Sequence, residues 1–300
     1  MISREQEQSH GHLRRSRDLS TGIYTPRAPV AHRDDEYPEA GFDILSAIQE
    51  RHFWYRGRHR FLLSAARTLL RQTRPATAQR PSAVDLGGGC GGWIAYLRAK
   101  APTLFGELAL ADSSLRALEL AAATVGADVP RYQVDLLRLE WDERWDAAFL
   151  LDVIEHIPDD HRAVTQARDA LRPGGLLFIT APALDCFWSY NDEMVGHRRR
   201  YSRGKIRRLT AAVDMELCMV RYFMFFLSPL YALSRLARQP RLDRMTPAEV
   251  RTFCERTHSP PSPPVNAALT LAFNAETPLG LWCPFPWGTS ILVVMRKRPR

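Results

Sequence analysis

Ala83-Val-Asp-Leu-Gly-Gly-Gly-Cys-Gly-Gly92 is the stretch that decides how this chain folds. Three apolar residues, Ala83, Val84 and Leu86, run into a turn with glycine at 87, 88, 89, 91 and 92. The helix-compatible segment Trp93 to Ala101 follows. A strand, a glycine turn and a helix in that order present bare backbone to a ligand at the carboxyl edge of a parallel sheet. Glycine is required where φ must be positive or where a ligand lies against the main chain. Two templates fit. Gly87, Gly89 and Gly92 satisfy the dinucleotide pattern G-x-G-x-x-G, and Gly87, Gly89 and Gly91 satisfy G-x-G-x-G.

Asp85 separates the two. It stands two residues before the first glycine, where it would repel a pyrophosphate and attract a cationic ligand. The segment resembles motif I of the class I S-adenosylmethionine-dependent methyltransferases, with Gly88 and Cys90 where Cys and Thr are more usual. The resemblance implies that Asp85, Gly87, Gly89 and Gly91 face the cofactor. Further along, Leu108-Ala-Leu-Ala-Asp112 is an apolar run ending in an acid, 21 residues beyond Gly91. A carboxylate about 20 residues past the glycines is placed to accept from both ribose hydroxyls. Asp112 with Ser113 is therefore expected at the ribose, although a helix-capping aspartate would read the same way.

Arg131-Tyr-Gln-Val-Asp-Leu136 is a third strand ending in an acid. By resemblance Asp135 holds the adenine amino group and the Leu136 backbone reads the ring. Trp145-Asp-Ala-Ala-Phe-Leu-Leu-Asp152 is a fourth strand, which brings Asp152 to the cofactor edge. Leu171-Arg-Pro-Gly-Gly-Leu-Leu-Phe-Ile179 is a turn and a fifth strand, and the turn is frequent in the same family. Met215 to Phe225 and Thr289 to Met295 supply two more. The expected fold is α/β, a Rossmann-like seven-stranded mostly parallel sheet with helices on both faces. It carries an N-terminal helical extension and an insertion before the last strand. Residues 1–40 read as a disordered tail, 41–81 as a helical cap and linker, and 82–225 as the cofactor-binding core. Residues 226–288 read as a helical, proline-rich insertion with a lid, substrate or interface role, and 289–300 as the last strand and a basic tail.

Methyl transfer needs positioning and exclusion of water more than it needs a base. A base matters only for an acceptor that keeps its proton, such as a hydroxyl. Two histidines are candidates. His156 follows the fourth strand, and His197 opens His197-Arg-Arg-Arg-Tyr-Ser-Arg-Gly-Lys-Ile-Arg-Arg208, where seven of twelve residues are basic. Arg199 and Tyr201 are expected to bind substrate, because arginine grips a carboxylate or phosphate bidentately. Asp152-x-x-Glu155-His156 resembles the metal-binding E-x-x-E-H of some ubiquinone-pathway O-methyltransferases, but Asp replaces the first Glu and no metal is expected. His52-Phe-Trp-Tyr-Arg-Gly-Arg-His-Arg60, Gly196-His-Arg-Arg-Arg-Tyr-Ser202 and Pro284-Phe-Pro-Trp-Gly-Thr-Ser290 resemble a bacterial subgroup of these enzymes over about residues 42 to 298. In relatives an N-terminal helix covers the cofactor, a part that Trp54, Tyr55, Arg56 and Arg60 could take here.

The implied activity is transfer of methyl from S-adenosyl-L-methionine to oxygen or nitrogen of a small-molecule, natural-product, glycan-type or carrier-linked acceptor. Net charge of +8 invites a nucleic-acid partner. Yet lysine occurs only at 100, 205 and 297, a bias that fits a GC-rich coding sequence. The fourth strand also lacks the N-P-P-Y sequence of adenine methylation and a following Pro-Cys nucleophile. RNA or protein methylation, an NAD-dependent oxidoreductase and a non-catalytic S-adenosylmethionine-binding subunit stay as alternatives. Five scattered cysteines form no C-x-x-C pair, which points to a reducing cytoplasm without disulfide or zinc. No apolar signal core opens the chain, and no stretch reaches the roughly 20 residues that span a bilayer. The aromatic cluster Tyr222-Phe-Met-Phe-Phe226 lacks the basic polar face of a membrane-lying helix, so membrane contact is not the expected role. A homodimer is compatible with the insertion.

Overall fold

The computed structural model describes residues 15–33, 37–73, 79–234 and 245–299. Expectations for residues 1–14, 34–36, 74–78, 235–244 and 300 lie outside the described residues. Seven strands form the core: β3 (Ser82–Leu86), β4 (Glu107–Asp112), β5 (Arg131–Gln133), β6 (Trp145–Leu151), β7 (Leu171–Pro182), β8 (Met215–Phe223) and β9 (Ser290–Lys297). Two short strands, β1 (Ser16–Arg17) and β2 (Ile23–Thr25), precede them. The sheet order is β1-β2-β5-β4-β3-β6-β7-β9-β8. Strands β2 to β7 pair in parallel, and β9 runs antiparallel between β7 and β8. Strand order reverses at β3, between β4 and β6, so the crevice for a ligand opens at the carboxyl ends of those strands.

Alternation along the strands builds both cores. In β6, Ala147, Phe149 and Leu151 join one apolar cluster, whereas Ala148 and Leu150 join the other. β7 divides the same way, Leu176 and Phe178 against Leu177 and Ile179. A period of two buries both faces of a strand only when helices cover each side. On one side lie α2 (Phe53–Thr73), α3 (Gly92–Lys100) and α4 (Leu115–Val125); on the other lie α5 (Asp160–Ala170) and α7 (Arg203–Ala212). Local signals set the helix starts. Asp159 accepts from the Arg162 amide at 2.9 Å to cap α5, and Ser202 accepts from the Lys205 amide at 3.3 Å to cap α7.

The N-terminal region departs from its reading as a tail. Residues 15–33 cross the sheet edge as a hairpin, with Ile23 buried against Ile94, Leu110 and Leu118. The hairpin is held by Arg131, whose guanidinium donates to the Thr21 carbonyl and, at 2.7 Å, to the Leu118 carbonyl. One buried isoleucine among polar residues is too weak a pattern to announce a strand. The helical cap expected over 41–81 is two helices, α1 (Glu39–Ile48) and α2, separated by Gln49 to His52. Between β8 and β9 stand α8 (Ser228–Ser234), α9 (Pro247–His258) and α10 (Pro263–Trp282). Helix α10 packs on α2 so closely that a Cβ at Gly57 would lie 2.0 Å from the Phe273 ring.

Candidate active site

A cavity of about 620 Å³ opens at the point where the strand order reverses. That is within the roughly 300–1,000 Å³ of small-molecule sites. Its floor is the loop after β3. Gly89 holds φ at +55°, and its amide donates to Asp112 Oδ2 at 2.8 Å. At Gly88 a Cβ would come 2.4 Å from Leu110 and 2.5 Å from Asp85 Oδ2, so only glycine fits. The second Asp112 oxygen accepts from the Ser114 amide at 2.9 Å. Asp112 therefore ties the glycine loop to the start of α4 while still lining the cavity.

Asp85 is 1% exposed, and its Oδ1 has no hydrogen-bond partner among the described residues. Burial raises its pKa to about 7; the Arg58 guanidinium opposes that rise and Asp112 adds to it. An unpartnered buried carboxylate lining a cavity fits a cationic ligand. The raised pKa also fixes a stability sign. Between the ordinary value of 3.8 and about 7 the folded state binds the extra proton, so stability falls as pH rises through that window. Asp85→Asn is expected to raise the unfolding free energy of the ligand-free protein at pH 8 by on the order of 3 kcal/mol. Little change is expected near pH 4, and equal effects at both pH values in thermal melts would refute this assignment.

Arg58, 8% exposed, is the buried cation at the glycine-loop end of the site. It pairs with Asp152 and stacks 4.8 Å from the Trp54 ring centroid. Asp152, at φ +57°, also accepts from Thr180 Oγ1 at 3.2 Å. The sequence drew attention to Arg56 and Arg60, but both are exposed and neither lines the cavity. Helical phase was the missed signal: Arg58 shares a face with buried Leu62, Ala65 and Leu69.

Asp192 organises the far end of the cavity. Its carboxylate takes two bonds from Arg200, at 2.9 Å each, and one from His197 Nδ1 at 2.8 Å. Burial pushes Asp192 up, but the bonds and charges of His197 and Arg200 outweigh it and hold the group at about 2. His197 Nε2 stands 3.8 Å from Glu155 Oε1, and the His156 and His197 rings lie 4.8 Å apart. Glu155 is fully buried, and burial holds its pKa well above the carboxylate range, with Asp152 adding to the rise. Glu155, His156 and His197 each offer a donor atom within 4.8 Å of the others, a spacing that suits a metal ion or the exchange of a proton. Asp152 is not in that group, because its carboxylate is turned to Arg58. Tyr231 and Ser234 of α8 and Thr257 to Ser259 at the C-terminal end of α9 complete this end.

Asp85, Gly87, Gly89, Asp112, Ser113, Leu136, Asp152, His156 and His197 all line the cavity. Four expected residues do not. Gly91, at φ +76°, shapes the turn into α3, and a Cβ there would meet Val125 at 2.3 Å. Asp135 is covered by Arg33, 3.3 Å away, while the neighbouring His32 bonds Ser113 Oγ at 2.8 Å. Arg199 reaches away to the Pro158 carbonyl at 2.8 Å and Asp160 at 3.1 Å. Tyr201 is buried, its hydroxyl donating to Asp160 Oδ2 at 2.6 Å. Arg200 lines the cavity instead of either neighbour.

A family model described as a methyltransferase domain matches residues 53–219. The chain belongs to that family. It carries a methyltransferase domain, and the match does not test the segments that resemble a bacterial subgroup. A ubiquinone biosynthesis O-methyltransferase of Methylobacterium nodulans is 32% identical over 106 residues, 35% of this chain. The match spans 42% of that relative, less than half its length. Among solved structures, one assigned provisionally as a methyltransferase, in complex with the Haloferax volcanii Trm112 methyltransferase activator, has a TM-score of 0.52 at 16% identity. It covers 86% of this chain and 97% of its own. Another, from Bacillus halodurans and likewise provisionally assigned, gives 0.50 at 19%, covering 78% and 99%. These two likenesses describe the methyltransferase fold.

Proposed function

We propose that this methyltransferase alkylates an oxygen or nitrogen of a small-molecule, natural-product or glycan-type acceptor, free or carrier-linked, with His197 as base where the acceptor is a hydroxyl. The Asp192–His197 pair carries this reading. Asp192 fixes Nδ1 at 2.8 Å and leaves Nε2 as the nitrogen available to a substrate. Such a pair needs a histidine lining the cavity, an anion behind it and a third group to hold the anion, here Arg200.

At the other end, Asp112 and Ser113 would hold the ribose, and Gly87 and Gly89 would admit the nucleoside against the backbone. Leu136 would line the base, and Asp85, Asp152 and Arg58 would meet the charged amino-acid end. When bound, S-adenosylmethionine supplies an electrophilic methyl group. The protein's part is to orient the acceptor, exclude water behind α1 and α8, and take up one proton at His197 Nε2.

The basic segment does not favour an RNA reading, because five of its seven charges, all but Arg207 and Arg208, are engaged internally. Arg198 donates to the His156 carbonyl at 2.9 Å, Arg203 to the Phe285 carbonyl at 2.6 Å, and Lys205 to Asp185 at 2.8 Å. The test is incubation of the purified chain with methyl-labelled cofactor and a fractionated cell extract. Label in the small-molecule, glycan or lipid-linked fractions is expected. Label confined to RNA or protein overturns the acceptor class.

A further inference from the structure

Helix α10 is apolar almost all round. Of its twenty residues Glu276 alone is charged, and it is fully buried, accepting from the Phe226 amide at 2.9 Å. One face, with Phe273, Thr277 and Gly280, packs against α2 and its surroundings. The opposite face is exposed and carries Val265, Ala268, Leu271, Ala275, Leu279 and Trp282. Leu271 is 70% exposed and Trp282 86%. A helix without a polar face is normally covered on all sides. Here half of it is bare.

The flank beside this ridge is cationic. The exposed positions of α2 include Arg56, Arg60, Arg67 and Arg71, which recur on one helical stripe. Among the described residues none pairs Arg56, Arg60 or Arg71 with a carboxylate, and neither α2 nor α10 exposes an acid. We infer that this face docks the protein on an anionic lipid surface, α10 entering the apolar layer and the α2 arginines meeting the headgroups. Apolar residues with tryptophan at one end, flanked by arginines, are the chemistry of a helix lying in a bilayer interface. A second copy fits worse. It would bring the same arginine row with no carboxylate to meet it. The ridge of a 20-residue helix is also only about 30 Å long and roughly 300 Å² in area, against ~800 Å² per partner in stable interfaces. No helix of the described residues is long and apolar enough to cross a membrane, so the contact is peripheral.

The same surface borders the cavity. Tyr231 and Ser234 of α8 line it, while Leu230 and Leu233 of that helix are 57% and 59% exposed. Ser259 and Pro261, at the approach to α10, line it as well. If methyl transfer is as proposed, a lipid-linked acceptor would reach the site without leaving the membrane. The docking itself does not depend on that reading.

Sedimentation of the full chain with vesicles of phosphatidylcholine, with and without phosphatidylglycerol, tests it without any turnover. Binding is expected to the anionic vesicles and to fall with added salt. Leu271→Glu with Trp282→Ser should reduce it at least tenfold, with S-adenosylhomocysteine affinity and thermal midpoint unchanged. Arg60→Gln and Arg71→Gln should each reduce it about fivefold. Failure to bind anionic vesicles overturns the inference. So does a dimer in light scattering that dissociates in the Leu271→Glu, Trp282→Ser variant, because the face then belongs to a second copy.

Discussion

Asp112→Ala is expected to lower affinity for S-adenosylmethionine and S-adenosylhomocysteine by about 100-fold. The carboxylate sits at the carboxyl end of β4, 5% exposed and lining the cavity. Its two oxygens already accept from the Gly89 and Ser114 amides, at 2.8 and 2.9 Å. Each oxygen has a further lone pair for a ribose hydroxyl. Alanine removes both ribose bonds, and hydrogen bonds to a charged group contribute about 1.5–3 kcal/mol each. It also frees two amides that hold the glycine loop in place, so a modest loss of stability accompanies the loss of binding. Asp112→Asn keeps the shape and one acceptor, and should fall between, near tenfold. Calorimetric titration with S-adenosylhomocysteine reads both variants, and unchanged affinity in Asp112→Ala would remove this residue from the site.

Asp112 was legible in the sequence because strand, acid and spacing are local. So was the glycine loop, whose positive φ at 87, 89 and 91 leaves few residue types possible. What stayed hidden depends on register or on distant chain. Arg58 differs from Arg56 and Arg60 only in helical phase, which fixes once α2 docks on α3 and the sheet. Arg200 differs from Arg199 and Tyr201 by one position in an extended segment, where neighbours point to opposite sides. Asp135 has the position the family pattern requires, yet Arg33, 102 residues earlier, covers it. No local reading can anticipate a partner so remote. The Asp192–His197 pair was half visible, since His197 stood in a noticed motif and Asp192 did not. Its signal was the capping box of α6 (Tyr190–Met194), Ser189 with Asp192, which reads as a helix start and conceals the second task of the carboxylate.

His197→Ala should then lower kcat by about 10²- to 10⁴-fold for a hydroxyl acceptor, the usual contribution of a positioned general base. Affinity for S-adenosylhomocysteine should stay within about twofold, since the histidine lies at the Asp192 end and away from the glycine loop. Asp192→Asn tests the orienting role separately. It leaves the His197 ring in place but offers Nδ1 an amide, so the tautomer with its lone pair at Nε2 is no longer favoured. The same variant has a stability cost with a defined sign. Asp192 is held at about 2 against an ordinary 3.8, so its contribution is complete above the ordinary value and lost as pH falls through that window. Melts of Asp192→Asn and the parent should therefore converge toward pH 2 and separate at neutral pH. His156→Gln supplies the comparison, because its ring packs edge-on against Tyr37, 5.7 Å between centroids, whereas Asp192 fixes His197 through Nδ1 at 2.8 Å. It should cost turnover far less. Should His156→Gln abolish transfer while His197→Ala keeps it, the base is His156 and the Asp192 pair is a strut for the loop after β7.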